Sequence, residues 1–432
     1  MLAYNCRAMV DPRIIPRDQH PISRRDIDPD ALKVLYRLRQ FDHAAYLVGG
    51  SVRDLLLGRH PKDFDIGTSA HPYQVKKLFR NCWIIGRRFR LAHVKFGPKV
   101  IEVATFRRQL APGEEVVAEG VPAPDPSTPE GEHLIHRDNT FGTPEEDAFR
   151  RDFTINALFY DIATFSIIDY VGGLHDLGDR IVRSIGDPDV RLREDPVRML
   201  RAMALAARLD FTIEATLLAS IRTHRQEIAK ASPARMIEEY YKILRAGSSE
   251  KAFRALADVG LLEPTAPELQ RGAGPALWQS LARLDAYRRR FESTPDTLTN
   301  AVLLGSVLAP LGLLERVHPR GTEAAPKLGT LPLARRDVER LRQILGLQRR
   351  LHDLGASART QRAVAHRSIF REALAWFDVH ADNADLSAHW RTVLDSAGQP
   401  DAQGGEPSEG EAPFRRRRRR RRRRRGPVHH EQ

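Results

Sequence analysis

The sequence predicts an α+β fold: an N-terminal mixed-sheet head, an all-helical neck and body behind it, and a disordered basic tail. Three observations carry this. Short strand-like apolar runs alternate with amphipathic helices as far as about residue 186. From Asp187 onward Ala- and Leu-rich helical spacing replaces them. Beyond Ser396 the composition collapses to Gly, Pro, Glu, Gln and an unbroken arginine run, Arg415–Arg425.

Residues 1–28 are rich in Pro, Arg and Asp without periodicity and read as an extended arm. The first helix follows in DALKVLYRLRQF, with apolar residues at Leu32, Leu35, Tyr36 and Leu38 and with Asp28 placed to cap it. A strand AAYLV, a Gly49-Gly50 turn, the helix SVRDLLLG and a strand-like KDFDIGT come next. The helix PYQVKKLF and the strands CWIIG, LAHVKF and VIEVATF continue the head, and RRDFTINALFYD with SIIDYVGG is expected to close its sheet. Between about 110 and 140 the density of Pro, Gly and Glu predicts a mobile loop. The head so defined spans 29–186. A helical neck at 187–265 is carried by DPVRMLRAMALAARL, PARMIEEYYKIL and EKAFRALADVGLL, and it leads to a helical body at 266–395 and the tail at 396–432. Weaker helical patterns in the body run Ala276–Phe291, Asp296–Leu311, Ala334–Leu354 and Thr360–Phe377.

The 432 residues carry 69 Lys+Arg against 56 Asp+Glu, a formal charge of +13. The arginine run supplies eleven of these charges, and thirteen less eleven leaves +2 for the rest of the chain. Any argument for nucleic acid must therefore come from local patches and chemistry, not from overall charge. Two cysteines, Cys6 and Cys82, are too few for a disulfide framework and lack metal-ligand spacing. No run approaches the roughly 18 apolar residues of a membrane span. A cytoplasmic location without a membrane partner is expected.

The first chemical pattern is Asp63-Phe64-Asp65. On a strand, positions i and i+2 share a face, so both carboxylates are expected to project together while Phe64 turns into the core. Two adjacent acids repel unless a cation lies between them, and paired hard carboxylates suit Mg²⁺. Glu102 in VIEVATF supplies a third acid if its strand neighbours the first. Alone, the pair reads first as a solvated strand end; the turn upstream changes the balance. In LVGGSVRDLLLG, Gly49 and Gly50 permit close backbone approach, the helix beginning near Ser51 offers free N–H groups, and Arg53 lies in its first turn. Phosphate-binding and metal-binding features thus fall within twenty residues of one another.

LVGGSVRDLLLGRHPKDFDIGT resembles the head signature of the nucleotidyltransferases that include tRNA CCA-adding enzymes and bacterial poly(A) polymerases, in the polymerase beta-like superfamily. RRDFTINALFYD and REDPVRMLRA resemble the two further motifs of that group, in family order, and the likeness covers roughly residues 10–265. The arm IIPRDQHPISRRDI, the run LFRNCWIIGRRFRLAHVKFGPKVIEVATFR and the loop end HRDNTFGTPEEDAFRRDFTIN are similar to the poly(A) polymerase branch. From about residue 270, and in the arginine run, the pattern departs from the family. The resemblance implies that Asp63 and Asp65, with Glu102 as third carboxylate, bind the two catalytic metal ions, with Mg²⁺ the default and Mn²⁺ equally compatible with oxygen ligands. It implies that Gly49, Gly50, Ser51 and Arg53 hold the triphosphate of ATP, and that Arg151, Asp152 and Asn156 contact its sugar and phosphates. It further implies that Asp195 and Arg198, expected at i and i+3 on one helix face, read the base edge, where the alternative is an ordinary surface ion pair.

The implied activity is transfer of AMP from ATP to RNA 3′ ends without a template, the RNA being mRNA, tRNA or small RNA. The alternatives are CCA or A addition to tRNA and, in a different class, a non-catalytic RNA-binding protein. RNA-decay partners cannot be read from sequence. For RNA binding, Lys76, Lys77, Arg80, Arg87, Arg88 and Arg90 concentrate cations around Trp83 and Phe89, which suits phosphates and a stacked base. The competing reading is a solvated helix face followed by a core tryptophan. The arginine run would bind polyphosphates without sequence preference.

Overall fold

A computed structural model describes residues 11–86, 90–108, 140–314, 326–381 and 383–397. The loop expected at about 110–140 and the tail fall largely or wholly outside the described residues, as do Arg87, Arg88 and Phe89.

The head runs β1 (Arg13–Ile15), α1 (Pro29–Gln40), β2 (Ala45–Val48), α2 (Gly50–Leu56), β3 (Asp65–Thr68), α3 (Pro72–Leu78), β4 (Cys82–Ile85), β5 (Leu91–Phe96), β6 (Lys99–Thr105), α4 (Pro144–Arg150), β7 (Leu158–Asp161) and β8 (Ser166–Asp169). These strands form one mixed sheet of order β1-β8-β7-β2-β3-β6-β5-β4. Only β3 and β6 pair in parallel within it. The arm is not free: β1 pairs antiparallel with β8, and Ile22 and Ile27 are buried in the main core. A three-residue strand has no periodicity to betray it, which is why the sequence suggests only an extended arm.

Alternation along each strand divides the side chains between two faces. One face carries Ala45, Leu47, Ile66, Ala92, Val94, Ile101, Val103 and Tyr160 into the main core with α1 and α3. Helix α1 starts where Asp28 Oδ1 accepts from the amides of Asp30 and Ala31 at 2.8 and 3.3 Å, and it buries Ala31, Val34, Leu35 and Leu38. Tyr36, expected inward, projects to solvent and accepts a bond from Arg24. The opposite face is covered only over β2, β7 and β8, where Val48, Phe159 and Phe106 form a small second core with Ala148 of α4. Over β6, β5 and β4 that face carries exposed residues.

The head ends in α5 (Gly173–Gly178) and β9 (Ile181–Val182). The neck and body follow as α6 (Pro188–Glu194), α7 (Val197–Leu209), β10 (Thr212–Ile213), α8 (Ala215–His224), α9 (Pro233–Arg245) and α10 (Ser249–Asp258). They continue with α11 (Pro267–Arg271), α12 (Pro275–Arg288), α13 (Asn300–Leu308), α14 (Arg335–Leu351), α15 (Ala358–Ala365), α16 (Phe370–His380) and α17 (Ala384–Ala397). The neck is thus not purely helical, because β10 pairs in parallel with β9 and ties it to the head. The single helix expected over Thr360–Phe377 is two. Val364 and Ala365 would face away from Phe370, Ala373 and Phe377 in one continuous helix, and a break lets both sets reach the core.

Candidate active site

The strand β3 begins only at Asp65, so Asp63 and Phe64 belong to its approach rather than to the strand, and Phe64 packs partly buried against the main core. The expectation of two acids on one strand face is corrected to one acid on the strand and one just before it. Ile66 pairs with Val103 in the parallel ladder; one step back along that register sets Asp65 beside Glu102. Neighbouring residues on a rung share a face, so these two carboxylates are lateral neighbours about 5 Å apart in backbone position. Gly67 is the next residue of β3 on the face of Asp65, and a Cβ there would fall 2.6 Å from the Phe106 ring, so only glycine lets that ring close the second core beside the acids.

Asp65 is exposed at the surface, yet the protein around it desolvates its carboxyl. Burial first, and then the charge of Glu102, push its carboxyl up to about 6; Arg151 opposes the shift and Asp63 adds to it. Glu102 and Asp63 act on Asp65 as gathered negative charge that Arg151 offsets only in part. All three donors are hard oxygens, which suits Mg²⁺ or Mn²⁺. Among the described residues no three acidic, imidazole or thiol groups stand close enough to form a ready-made metal cage.

The turn after β2 is built for close approach. Gly49 sits at φ +72, and a Cβ on it would lie 2.9 Å from Nη1 of Arg151. Gly50 opens α2, and its missing Cβ leaves room for the Arg53 guanidinium. The Ser51 hydroxyl donates to the Val48 carbonyl at 3.1 Å. Arg53 is 2 % exposed. It pairs with Asp54 at 2.6 Å and donates to the Asn156 side chain, and burial draws its pKa down to about 10 against the pull of Asp54. Arg151 is held by Asp147 at 3.0 Å and donates to the Asn156 carbonyl at 3.1 Å. Two guanidiniums therefore meet at the glycine turn, both oriented by Asn156.

The next layer joins head to neck. Asp152 accepts from Arg198 Nε at 2.7 Å and from Arg201 Nη1 at 2.5 Å. Burial alone would raise its carboxyl, but these two arginines outweigh it and hold Asp152 below the usual range. Arg198 also donates to the Arg191 carbonyl at 2.7 Å and to Glu194 at 3.2 Å. Asp195 is in extended conformation between α6 and α7 and takes a bidentate pair from Arg235 at 3.1 and 2.8 Å. The expected i, i+3 partnership on one helix face is therefore corrected: Asp195 precedes the helix that carries Arg198, and each has a different partner. The extended backbone that Asp195 adopts ahead of Pro196 prevents a continuous helix there.

A cavity of about 360 Å³ opens between these layers. Gly50, Ser51, Arg53, Asp63, Asp65, Asp152 and Asn156 line its head side, and Arg201, Arg208, Glu239 and Lys242 line its neck side on α7 and α9. Gly49, Glu102, Arg151, Asp195 and Arg198 stand outside its walls. Sequence reasoning missed Lys62, Arg201, Arg208, Glu239 and Lys242. A signal existed: Arg198, Arg201, Leu205 and Arg208 recur at helical spacing, and Glu239 and Lys242 sit at i and i+3. Of the residues expected to bind RNA, Lys76, Lys77, Arg80 and Arg90 are exposed. Trp83 is 52 % exposed on β4, which removes the core-tryptophan reading. Tyr240 and Tyr241 are buried.

Residues 45–183 match the family model described as the poly A polymerase head domain, and 210–272 match "Probable RNA and SrmB- binding site of polymerase A". Residues 324–425 match the polymerase A arginine-rich C-terminus, so the family pattern extends into the region that seemed to depart from it. The chain belongs to the tRNA nucleotidyltransferase and poly(A) polymerase family. It is 51 % identical over 259 residues to Poly(A) polymerase I of Salmonella typhi, which is 60 % of this chain and 54 % of that protein. It is 37 % identical over 238 residues to the CCA-adding enzyme of Lactobacillus helveticus, covering 55 % of each. The matches thus span about half the length of these curated relatives. Among solved structures, the CCA-adding enzyme of Bacillus stearothermophilus in complex with CTP superposes with a TM-score of 0.60 at 27 % identity, over 86 % of this chain and 82 % of that one.

Proposed function

We propose that this chain is a polynucleotide adenylyltransferase: an RNA 3′-hydroxyl attacks the α-phosphorus of ATP, AMP joins the RNA without a template, and pyrophosphate leaves. The observation that carries the reading is the juxtaposition of Asp65 and Glu102 on one rung, at the edge of a cavity whose walls present Arg53, Arg201, Arg208 and Lys242. The two acids thus border a cavity of the size small-molecule sites have, whose cations are each held by a carboxylate: Arg53 and Arg208 by Asp54, Arg201 by Asp152 and Lys242 by Glu239. A divalent cation held by Asp63, Asp65 and Glu102 would have to draw together carboxylates that form no cage as they stand, and would supply the charge that acidifies the hydroxyl and neutralises the leaving group. Arg53 and Arg151 would hold phosphate oxygens at the Gly49-Gly50 turn. Asp152 and Asn156 would keep the arginines around them in place. For Asp195 and Arg198 to read the base, each must exchange its present partner, Arg235 or Asp152, for the nucleotide. No separate general base is assigned.

Identity of 51 % to a Poly(A) polymerase I against 37 % to a CCA-adding enzyme favours polyadenylation. The fold match to a CCA-adding enzyme keeps CCA or A addition as the second reading. Purified protein, Mg²⁺, ATP alone and an unrelated oligoribonucleotide should yield a long product ladder. One to three additions confined to tRNA, with a CTP requirement, would instead establish the second reading. Deleting residues 415–432 is expected to raise KM for RNA and flatten its salt dependence.

A further inference from the structure

The sheet face that bears the acids continues beyond them. Glu102 pairs across β6 and β5 with His93, and His93 pairs with Trp83 on β4. One rung therefore runs Asp65, Glu102, His93, Trp83, all on one face. His93 Nε2 lies 3.4 Å from Glu102 Oε1. On the other side of Asp65 the same face passes to Val48 and Phe159, which are buried in the second core. The acids thus stand where the covered half of the face gives way to the open half.

The open half is apolar and cationic together. Trp83, Ile85 and Val100 are 52, 49 and 43 % exposed, and Lys95, paired with Val100, is exposed on the same face. An exposed Trp and Ile on an edge strand are an aggregation liability unless something covers them. We propose that the RNA covers them: its last few nucleotides lie across this half of the sheet, with a base stacked on the Trp83 indole and Lys95 facing its phosphates. The inference rests on the adenylyltransferase reading, which requires an RNA 3′ end beside Asp65 and Glu102. Three strand spacings separate Trp83 from Asp65, roughly 14 Å, so the stacked base belongs to a nucleotide upstream of the reacting one. Sheet faces bearing exposed aromatics are a general way to stack single-stranded bases without reading their sequence. The exposed Arg80 and Arg90, just before β4 and β5, suit the same polyanion, whereas Lys76 and Lys77 belong to α3 on the opposite face.

The test titrates single-stranded oligoadenylate into the full chain without ATP, reading tryptophan fluorescence. Trp376 and Trp390 are buried and Trp278 is partly buried, so quenching should come from Trp83. Trp83→Phe should lose the quench and keep affinity within about 3-fold. Trp83→Ala should weaken binding by roughly 5- to 150-fold and raise KM for RNA alike, while KM for ATP and kcat at saturating RNA stay unchanged. Lys95→Ala should lower the salt slope of binding by about one. Wild-type affinity in Trp83→Ala overturns the platform, and so does a quench that persists in Trp83→Phe. If Trp83→Ala instead dissolves a dimer and leaves RNA affinity alone, the face is a protein contact and the proposal is wrong. A parent protein that quenches with RNA but incorporates no AMP would sink the transferase reading and leave the platform standing.

Discussion

Although the head pairs Asp169 and Asp152, it gathers like charge at one place in a way the described residues of the helical body do not. Around the cavity Asp65 is crowded by Glu102 and Asp63, and Arg53, though paired with Asp54, is buried enough to lower its pKa to about 10. In the body, several buried polar groups are met by neighbours that offset part of their cost. Asp285 accepts from the Ser249 amide and hydroxyl at 2.8 Å each and from the Glu250 amide at 2.9 Å. Trp390 donates its indole N–H to the Leu351 carbonyl at 2.8 Å, and His380 bonds the Ser306 hydroxyl at 3.0 Å. The difference teaches where stability has been given up. On the proposed function, the crowded acids of the head are those that a ligand of opposite charge would complete.

The sharpest way to break this contrast is to remove the crowded acid. Asp65→Asn should cut nucleotide incorporation by at least about 1000-fold while leaving the melting temperature unchanged or slightly higher, since a repelling charge is lost. A fall in melting temperature with activity retained would reverse the assignment. Leu341→Ala in the body should do the opposite. Leu341 is fully buried against Trp376 and the Gly305 backbone, and its truncation should cost about 2–5 kcal/mol in denaturant unfolding with kcat unchanged below the transition.

Asp152→Asn tests the seam between the two regions. It deprives Arg198 and Arg201 of their shared carboxylate, and it should cost on the order of 2 kcal/mol together with about a 10-fold loss in kcat/KM for ATP. The smallest effect is a pH slope confined to the body. Burial, with Arg283 adding to it, lowers the His380 pKa from 6.5 to about 4. The folded state therefore binds fewer protons than the unfolded state between those values. Stability is complete above pH 6.5 and falls as the pH drops toward 4, by up to about 3 kcal/mol. Denaturant titrations across that window should show the slope, and His380→Gln should abolish its share.

The legible parts of the molecule are those fixed by local chemistry. Asp28 caps α1 because its side chain reaches amides two and three residues away, and Gly49 marks the turn because its φ of +72 suits glycine. What sequence reading misjudged depends on residues distant in the chain. Asp195 and Arg198 look like partners at i and i+3, but Arg235 takes the first and Asp152 the second, each some forty residues away or more. The strand in the arm exists only because β8 offers it an edge. Trp83 could be read as core or platform, and only its edge position on the sheet decides for the surface.

The amino-acid order alone settled which residue types are available: an acid pair beside a glycine turn, a third acid on a later strand, and helices whose apolar stripes repeat every three or four residues. Those follow from short-range sterics and hydrogen bonding, which act within one turn or one strand. The packed chain decided that Asp65 and Glu102 share a rung, that α7 and α9 close the cavity, and that the sheet face is covered on one side of the acids and bare on the other. Register and coverage sum many weak contacts between remote segments, and no window of sequence contains that sum.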